Sequence, residues 1–500
     1  MSQPANTASR TYDVVVIGAG AIGENLADRA VQGGLSAVVI ESELVGGACS
    51  YWACMPSKAL LRPGAALESA RTVPGAAGVP ERIDVEKTLV SRDSFVSNWD
   101  DSGQVDWLST AGIDLIRGTA RIVGEREVEV RSGLEQVGLA PDQPEILTVH
   151  ARSAIAVCTG TSPVLPPIDG LLETHPWTSA EATATQEIPE ELLIIGGGVV
   201  GCEMATAFAD LGSQVHLVVR GGNVLSGVDS FAGEAVADSL ERMGVDVRLN
   251  CEVTSCGQVG TDPSDLIMDD AASPTGIRTK AALSDGSTIV ADRVLVATGR
   301  KPNLPEITDV SIEKDEQGHL QLDTDLRAQG TDWLYVVGDA SSRAHTTHEG
   351  KYQARMIGDL IVSRAKGTAG EGGAGADLRA DAMGAPQVIF TRPEVAHVGL
   401  TSDAAQAQGI DTRVFDQDLG AIAGAALHAH NYQGQVRFVI DAEKQVLIGA
   451  TFVGGDTAEM LHAATIAIIG EVPLARLWHA VPAYPTMSEV WLRFLEAAGL

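Results

Sequence analysis

The chain has 500 residues, 45% of them hydrophobic and only 4% aromatic, a length that suits about three domains rather than one core. Its 35 basic and 66 acidic residues leave a net charge of −31, with an isoelectric point near 4.6. Such a surface repels nucleic-acid phosphates and anionic bilayers, and no uninterrupted apolar run reaches the roughly 20 residues that span a membrane, so neither partner is expected.

Met1–Arg10 is short and polar, so no secretory leader is expected and a cytoplasmic enzyme is the default. Tyr12–Ile17 then reads as a buried strand, followed by Gly18-Ala19-Gly20-Ala21-Ile22-Gly23 and a helical pattern to about Gly33. A second strand, Ala37–Ile40, ends at Glu41. This is a complete Rossmann unit: the glycines let backbone approach a pyrophosphate at the helix N-terminus, and Glu41 can accept hydrogen bonds from a ribose.

Next comes Gly46-Gly47-Ala48-Cys49-Ser50-Tyr51-Trp52-Ala53-Cys54-Met55-Pro56-Ser57-Lys58. Two thiols this close, just after a nucleotide-binding unit, point to a reversible disulfide fed with electrons; a static or absent disulfide is the alternative. Both cysteines are expected at the start of a helix, whose dipole favours the thiolate, and Lys58 adds positive charge. Tyr51 and Trp52 either shape a pocket for a flat acceptor such as a quinone or pack the helix. Cys158 and Cys202 fall in core elements, and Cys251 and Cys256 repeat the spacing of Cys49 and Cys54 without the flanking glycines, proline or lysine. Six cysteines in so long a chain do not form a structural disulfide framework.

The strand Ala154–Val157 leads into Cys158-Thr159-Gly160. A second glycine unit follows: strand Leu192–Ile195, Gly196-Gly197-Gly198-Val199-Val200-Gly201, a helix to Leu211 and a strand Val215–Val219. Two such units mean two dinucleotides, or one duplicated domain with one site lost. Where an NAD-selective unit carries Asp or Glu, this one has Arg220, which can pair with a 2′-phosphate and favours NADPH, with NADH still possible; a solvated surface arginine is the other reading. Val294–Gly299 and Leu334–Asp339 are further buried strands, Gly367–Gly384 reads as a flexible Gly/Ala-rich linker, and strands Val436–Ile440 and Val446–Phe452 begin a last α+β domain.

Taken in order, these motifs, with Phe390-Thr391-Arg392-Pro393-Glu394-Val395-Ala396 and Tyr484-Pro485-Thr486-Met487-Ser488-Glu489, resemble the flavin-dependent pyridine nucleotide-disulfide oxidoreductases, the dihydrolipoamide dehydrogenase, glutathione reductase and mercuric reductase group. The resemblance runs from Tyr12 to about Phe494. It implies an α/β fold with two Rossmann-like dinucleotide-binding domains plus a C-terminal α+β dimerisation domain. The expected division is 1–165 and 291–366 for FAD, 166–290 for NAD(P), 367–384 as linker and 385–500 as the interface domain. FAD would lie on Gly18, Gly20, Gly23, Glu41, Ala120, Thr159, Gly160, Asp339 and Ala344, and the nicotinamide nucleotide on Gly196, Gly198, Gly201, Arg220, Val253 and Gly299. Lys58 and Glu203 look like the family's ion pair near the flavin and nicotinamide rings. Cys54 would face the flavin and Cys49 the substrate, a small-molecule electron acceptor. A homodimer would bring Tyr484 of one subunit near Cys49 of the other.

One departure stands out. Disulfide-reducing members place His before the Pro-Thr of the last motif, with Glu five residues after it; here Tyr484 precedes Pro485 and Glu489 is kept. Tyrosine is a poor base near neutral pH but a good hydrogen-bond donor. It is similar to the mercuric reductase pattern, although Leu495–Leu500 holds no cysteine pair to deliver a metal. The expectation is therefore NADPH-to-FAD-to-disulfide electron transfer to a disulfide, quinone or soft metal ion, with a non-turnover redox sensor as the competing reading.

Overall fold

The computed structural model describes residues 8–131, 146–259, 278–314, 320–368 and 375–500. These divide into two compact units that interleave along the chain. The first comprises Met1–Cys54, Val96–Ser162 and Arg300–Asp381; the second comprises Met55–Phe95, Pro163–Gly299 and Ala382–Leu500.

The first unit is built on a sheet whose strands run Asp114–Arg117, Ala37–Glu41, Ala8–Ile17, Ile146–Val157, Glu127–Arg131 and Thr119–Gly124. Ala8–Ile17 pairs in parallel with Ala37–Glu41 (Val14 opposite Ala37, Ile17 opposite Ile40) and with Ile146–Val157. Every residue of Ala37–Glu41 is buried, as a central parallel strand covered on both faces must be. Alternate residues serve opposite layers. Val14, Val16, Ala37 and Val39 pack with Leu26, Ala354 and Ile357, while Val15, Ile17, Val38 and Ile40 pack with Ile122, Val128 and Val336. The helices Ala21–Gln32 and Thr347–Ala365 form the first of these layers and close tightly, since a Cβ on Gly358 would stand 2.7 Å from the Arg29 side chain.

The second unit contains three sheets. The parallel one runs Asp246–Arg248, Gln214–Val218, Glu191–Ile195, Arg293–Val296, with the almost wholly buried helix Val199–Leu211 against it. A three-stranded antiparallel sheet, Val253–Val259, Arg278–Leu283 and Thr288–Ala291, is inserted in sequence between its strands Asp246–Arg248 and Arg293–Val296. The third sheet is antiparallel and five-stranded, in the order Gln387–Ile389, Glu394–Gly399, Val446–Gly454, Gln435–Asp441, Thr412–Asp418. Its core centres on Phe438, stacked at 4.2 Å on Phe494 of the terminal helix Val490–Ala498.

The Gly/Ala-rich stretch Gly367–Gly384 differs from a flexible linker in its described part; residues 369–374 lie outside the described residues. Ala376 N donates to Asp325 at 2.8 Å, Tyr352 OH donates to the Asp377 carbonyl at 2.7 Å, and Gln353 donates to Asp381 at 2.7 Å. Two apolar side chains within the small-residue run, Ala376 and Leu378, pack on the first unit's core, which is why this part is held.

Arg92, in the helix Val85–Phe95, is fully buried in the second unit and neutralised by Asp93 at 2.6 Å while donating to the carbonyls of Thr183 and Thr185. Arg92→Met keeps the volume and strips these acceptors of their donor. Thermal unfolding should show a loss of about 3 kcal/mol, as for other broken buried ion networks; an unchanged midpoint would show that the cluster is not structural.

Candidate redox site

The first glycine turn is shaped by contacts that exclude a side chain. Gly18 has φ +97°, and a Cβ there would stand 2.6 Å from the Cys158 carbonyl oxygen; one on Gly23 would reach the Gly18 oxygen at 1.9 Å. Gly20 instead caps the helix Ala21–Gln32 in an extended conformation (φ −72°, ψ 177°) with no side-chain cap, so its backbone donors are available to an anion. Glu41, buried at the end of its strand, accepts from Ala19 N at 2.7 Å and Glu43 N at 2.8 Å; burial pushes its pKa up against those bonds.

The thiol segment is seated directly on this turn. Gly46 bridges to Gly20 and donates to the Ala19 carbonyl at 2.8 Å, and a Cβ on Gly47 would lie 2.9 Å from Gly20 Cα. Both glycines have positive φ, +111° and +62°. The two cysteines do not share one helix start, as the sequence suggested. Cys49 lies inside the short helix Gly47–Tyr51, the chain breaks at Trp52, and Cys54 opens the helix Cys54–Arg71. Both are half-buried and in hydrogen-bond contact, and Thr347 Oγ1, at the start of Thr347–Ala365, is 3.4 Å from Cys54 Sγ. The hydrogen bond to Cys54, then burial, pushes the Cys49 thiol pKa up, opposite to the expected helix-dipole effect. Tyr51 is 2% exposed and donates to Gln104, so it packs the segment; its ring is tilted against Trp52 at 5.6 Å.

Other sequence-selected positions converge in the same unit. Asp339, on the turn Gly338–Ser341, is largely buried, its pKa raised by that burial, with the Thr161 hydroxyl at 3.4 Å. Thr159 donates to the Asn303 carbonyl, Gly160 has φ +68° with open space where a Cβ would point, and Ala120 and Ala344 are buried. Arg300, which the sequence reading passed over although it directly follows Gly299, donates to the Thr161 hydroxyl at 2.6 Å; burial lowers its pKa, and the charges of Asp339 and Cys54 oppose that. Thr347 was also missed. It sits in an ordinary Thr-Thr pair, and only the fold carries it to the sulfur.

The second unit repeats the turn. Gly196 (φ +115°) approaches the Ala297 carbonyl, where a Cβ would stand at 2.4 Å; a Cβ on Gly201 would meet the Gly196 oxygen at 1.9 Å, and one on Gly198 would meet nothing within 4 Å. Gly299 is likewise open, with φ +124°. The Arg220 side chain is 86% exposed, with Glu252 3.9 Å away, so it is free to turn toward a phosphate. Val253 differs from a lining residue: its side chain is spent in a core with Leu171 and Cys251, leaving only its backbone to offer. The buried Glu203 carboxylate receives Lys58 Nζ at 2.7 and 3.0 Å and Phe390 N at 3.0 Å, with Lys58 also over the Phe390 ring.

Tyr484 is 76% exposed, and Glu489 is not its partner: the buried carboxylate takes Arg493 at 2.7 Å, and its other oxygen is without a hydrogen bond among the described residues. The donor to this carboxylate is Arg493, one helical turn further on.

The two turns fit dinucleotides by the same test. Each has a first and third glycine where a Cβ would strike backbone oxygen, and a middle glycine at a helix N-terminus where an added Cβ would meet nothing closer than the ordinary contact of 3.8 Å from Gly20 to Gly47 Cα. Residues 12–354 match the family described as pyridine nucleotide-disulphide oxidoreductase, and residues 385–494 match its dimerisation domain. The chain is 27% identical to a mercuric reductase of Staphylococcus aureus over 96% of its own length and 81% of that protein. It is 30% identical to a dihydrolipoyl dehydrogenase of Haloferax volcanii over 97% and 96% of the two chains. Among solved structures, the HOCl-induced flavoprotein disulfide reductase RclA of Escherichia coli shares its fold, with TM-score 0.77 and 23% identity over 97% of this chain and 99% of that one. The chain belongs to the pyridine nucleotide-disulphide oxidoreductases. It is therefore an oxidoreductase of an FAD-dependent family that draws electrons from NAD(P)H, it has the two-Rossmann α/β architecture expected, and it carries a dimerisation domain. No helix of the described residues is long and apolar enough to cross a membrane.

Two outcomes test this site. Gly201→Ala, which forces a Cβ into backbone oxygen, should cost about 1–3 kcal/mol of stability in thermal melts. Gly198→Ala should leave the melt unchanged and weaken nicotinamide-nucleotide binding about tenfold by titration, because it fills only the open cradle. Separately, Lys58→Met strands the buried Glu203 carboxylate and should lower stability by roughly 3 kcal/mol, most of it restored by adding Glu203→Gln.

Proposed function

We propose that the protein passes electrons from NADPH through FAD to a Cys49–Cys54 disulfide and on to a small-molecule acceptor: a disulfide, a quinone or a soft metal ion. The observation that carries this reading is the contact of the two thiols on a segment clamped by Gly46 and Gly47 to the nucleotide turn. Bound FAD would supply the two-electron step between nicotinamide and sulfur. The chain's own residues do the rest. Gly18, Gly20, Gly23, Glu41, Thr159, Gly160, Asp339, Ala120 and Ala344 hold the flavin nucleotide, and Gly196, Gly198, Gly201, Gly299 and the swinging Arg220 hold NADPH by its 2′-phosphate. Cys54, with the Thr347 hydroxyl 3.4 Å away, is the flavin-side sulfur, and Cys49, as the thiolate, is the sulfur that attacks the acceptor. The dimerisation domain supports a homodimer in which Tyr484 of one subunit donates a hydrogen bond at the acceptor bound to the other.

Anaerobic titration of the purified protein with NADPH should bleach the flavin and raise a long-wavelength thiolate-to-flavin band. Cys49→Ser should retain such a band, because Cys54 remains, whereas Cys54→Ser should lose it. A colourless protein, or flavin that NADPH leaves oxidised, would sink the proposal. Comparing lipoamide, glutathione disulfide, quinones and mercuric ion then selects the acceptor, and Tyr484→Phe should slow only the step after disulfide reduction.

A further inference from the structure

Three elements of the first unit meet at the thiols, and one group among them has no assigned task. The helix Ala21–Gln32 carries Glu24 in its first turn; the short helix Gly47–Tyr51 carries Cys49 and Tyr51; the helix Thr347–Ala365 carries Thr347 and, one turn on, Lys351. The three are locked at close range. Gly350, beside Lys351, abuts Ile22, where a Cβ would stand 2.7 Å from that side chain, and Gly47 abuts Gly20. Glu24 is mostly buried in this junction, and its Oε1 is shut off from solvent without a hydrogen-bond partner among the described residues.

A buried, unpaired carboxyl oxygen is costly and calls for an explanation. The charged groups facing Glu24 are Lys351 from one helix, Glu41 from the strand Ala37–Glu41 and the Tyr51 phenol, which stays neutral because burial pushes its pKa up to about 12. Burial first, opposed by Lys351 and reinforced by Glu41, raises the Glu24 pKa to about 7. The same Lys351 acts on Cys49, where its charge lowers the thiol pKa. The charge of one ammonium therefore acts on both groups.

We propose that Glu24 is a positioning residue for the thiol pair, engaging or releasing the Lys351 ammonium and so setting how readily Cys49 ionises. The inference rests on the thiol-pair reading above and deepens it by naming a proton-responsive group beside that pair. The sign follows from the charges. Below about pH 7 Glu24 is neutral, and the full Lys351 charge favours the Cys49 thiolate. Above it, the Glu24 carboxylate draws that charge off and adds its own repulsion, so Cys49 holds its proton longer. The thiol pair then titrates over a broader pH range than a lone pair would, and its nucleophile is buffered against rising pH.

The test uses the flavin-loaded protein reduced anaerobically with dithiothreitol, which is then removed. Iodoacetamide alkylation of Cys49 is followed by peptide mass spectrometry from pH 5.5 to 9. Wild type should give a broadened rate profile. Glu24→Gln should sharpen it and shift the midpoint about one unit lower. Lys351→Met should shift the midpoint higher, and adding Glu24→Gln to it should have far less effect. Glu24→Asp retracts the carboxylate by one methylene and should shift the profile in the direction of Glu24→Gln by less, which covers the case where the glutamine variant fails to fold. A Glu24→Gln profile that overlays wild type, or an equal shift with and without Lys351, overturns the proposal. Chemical reduction makes the result independent of NADPH, so a failure here is separable from a failure of the electron route.

Discussion

The contact on which the site depends is backbone on backbone: Gly46 and Gly47 laid against Gly20. A Cβ on Gly47 would stand 2.9 Å from Gly20 Cα, closer than real side chains come, and Gly46 needs a left-handed φ of +111° to bridge there. Everything downstream inherits this approach. It brings the short thiol helix onto the very turn whose open side suits a pyrophosphate, and it fixes the start of the helix Cys54–Arg71. Two thiols on a looser segment would still be near in sequence, but they would not be held against a nucleotide site.

The same geometry sets the environment of the sulfurs. Thr347 offers its hydroxyl to both, and the hydrogen bond to Cys54, together with burial, pushes the Cys49 thiol up. Helix-dipole reasoning alone assigned the favour to both. It failed for Cys49 because the residue sits inside a five-residue helix rather than at the N-terminus of the long one, and because the nearest strong acceptor is the other sulfur.

Legibility of the sequence follows the range of the interactions involved. Both glycine turns were readable because their contacts are local: Gly23 against Gly18, and Gly201 against Gly196, five residues apart in each case. The alternating apolar strands were readable for the same reason. Thr347, Arg300 and Lys351 were not, because each acquires its role from residues more than 130 positions away, as Arg300 does from Thr161 and Thr347 from Cys54. Composition misled once. Glycines and alanines after Gly367 looked like a free linker, but Ala376 and Leu378 are enough to anchor the described part, and Asp325, Tyr352 and Gln353 hold its backbone and side chains.

Tyr484 precedes Pro485, and the acid five residues on, Glu489, has a partner other than Tyr484. Glu489 keeps the buried place it would need to orient an imidazole, yet it now pairs with Arg493 through one oxygen and leaves the other unsatisfied. A phenol is a hydrogen-bond donor rather than the proton shuttle an imidazole can be, so in the proposed reaction proton control falls to groups nearer the sulfurs. Within the first unit, the groups able to do so are those that share the buried junction with Cys49. Of these, Tyr51 stays protonated and Glu41 is committed to two backbone amides, whereas Glu24 has a free oxygen and a pKa of about 7.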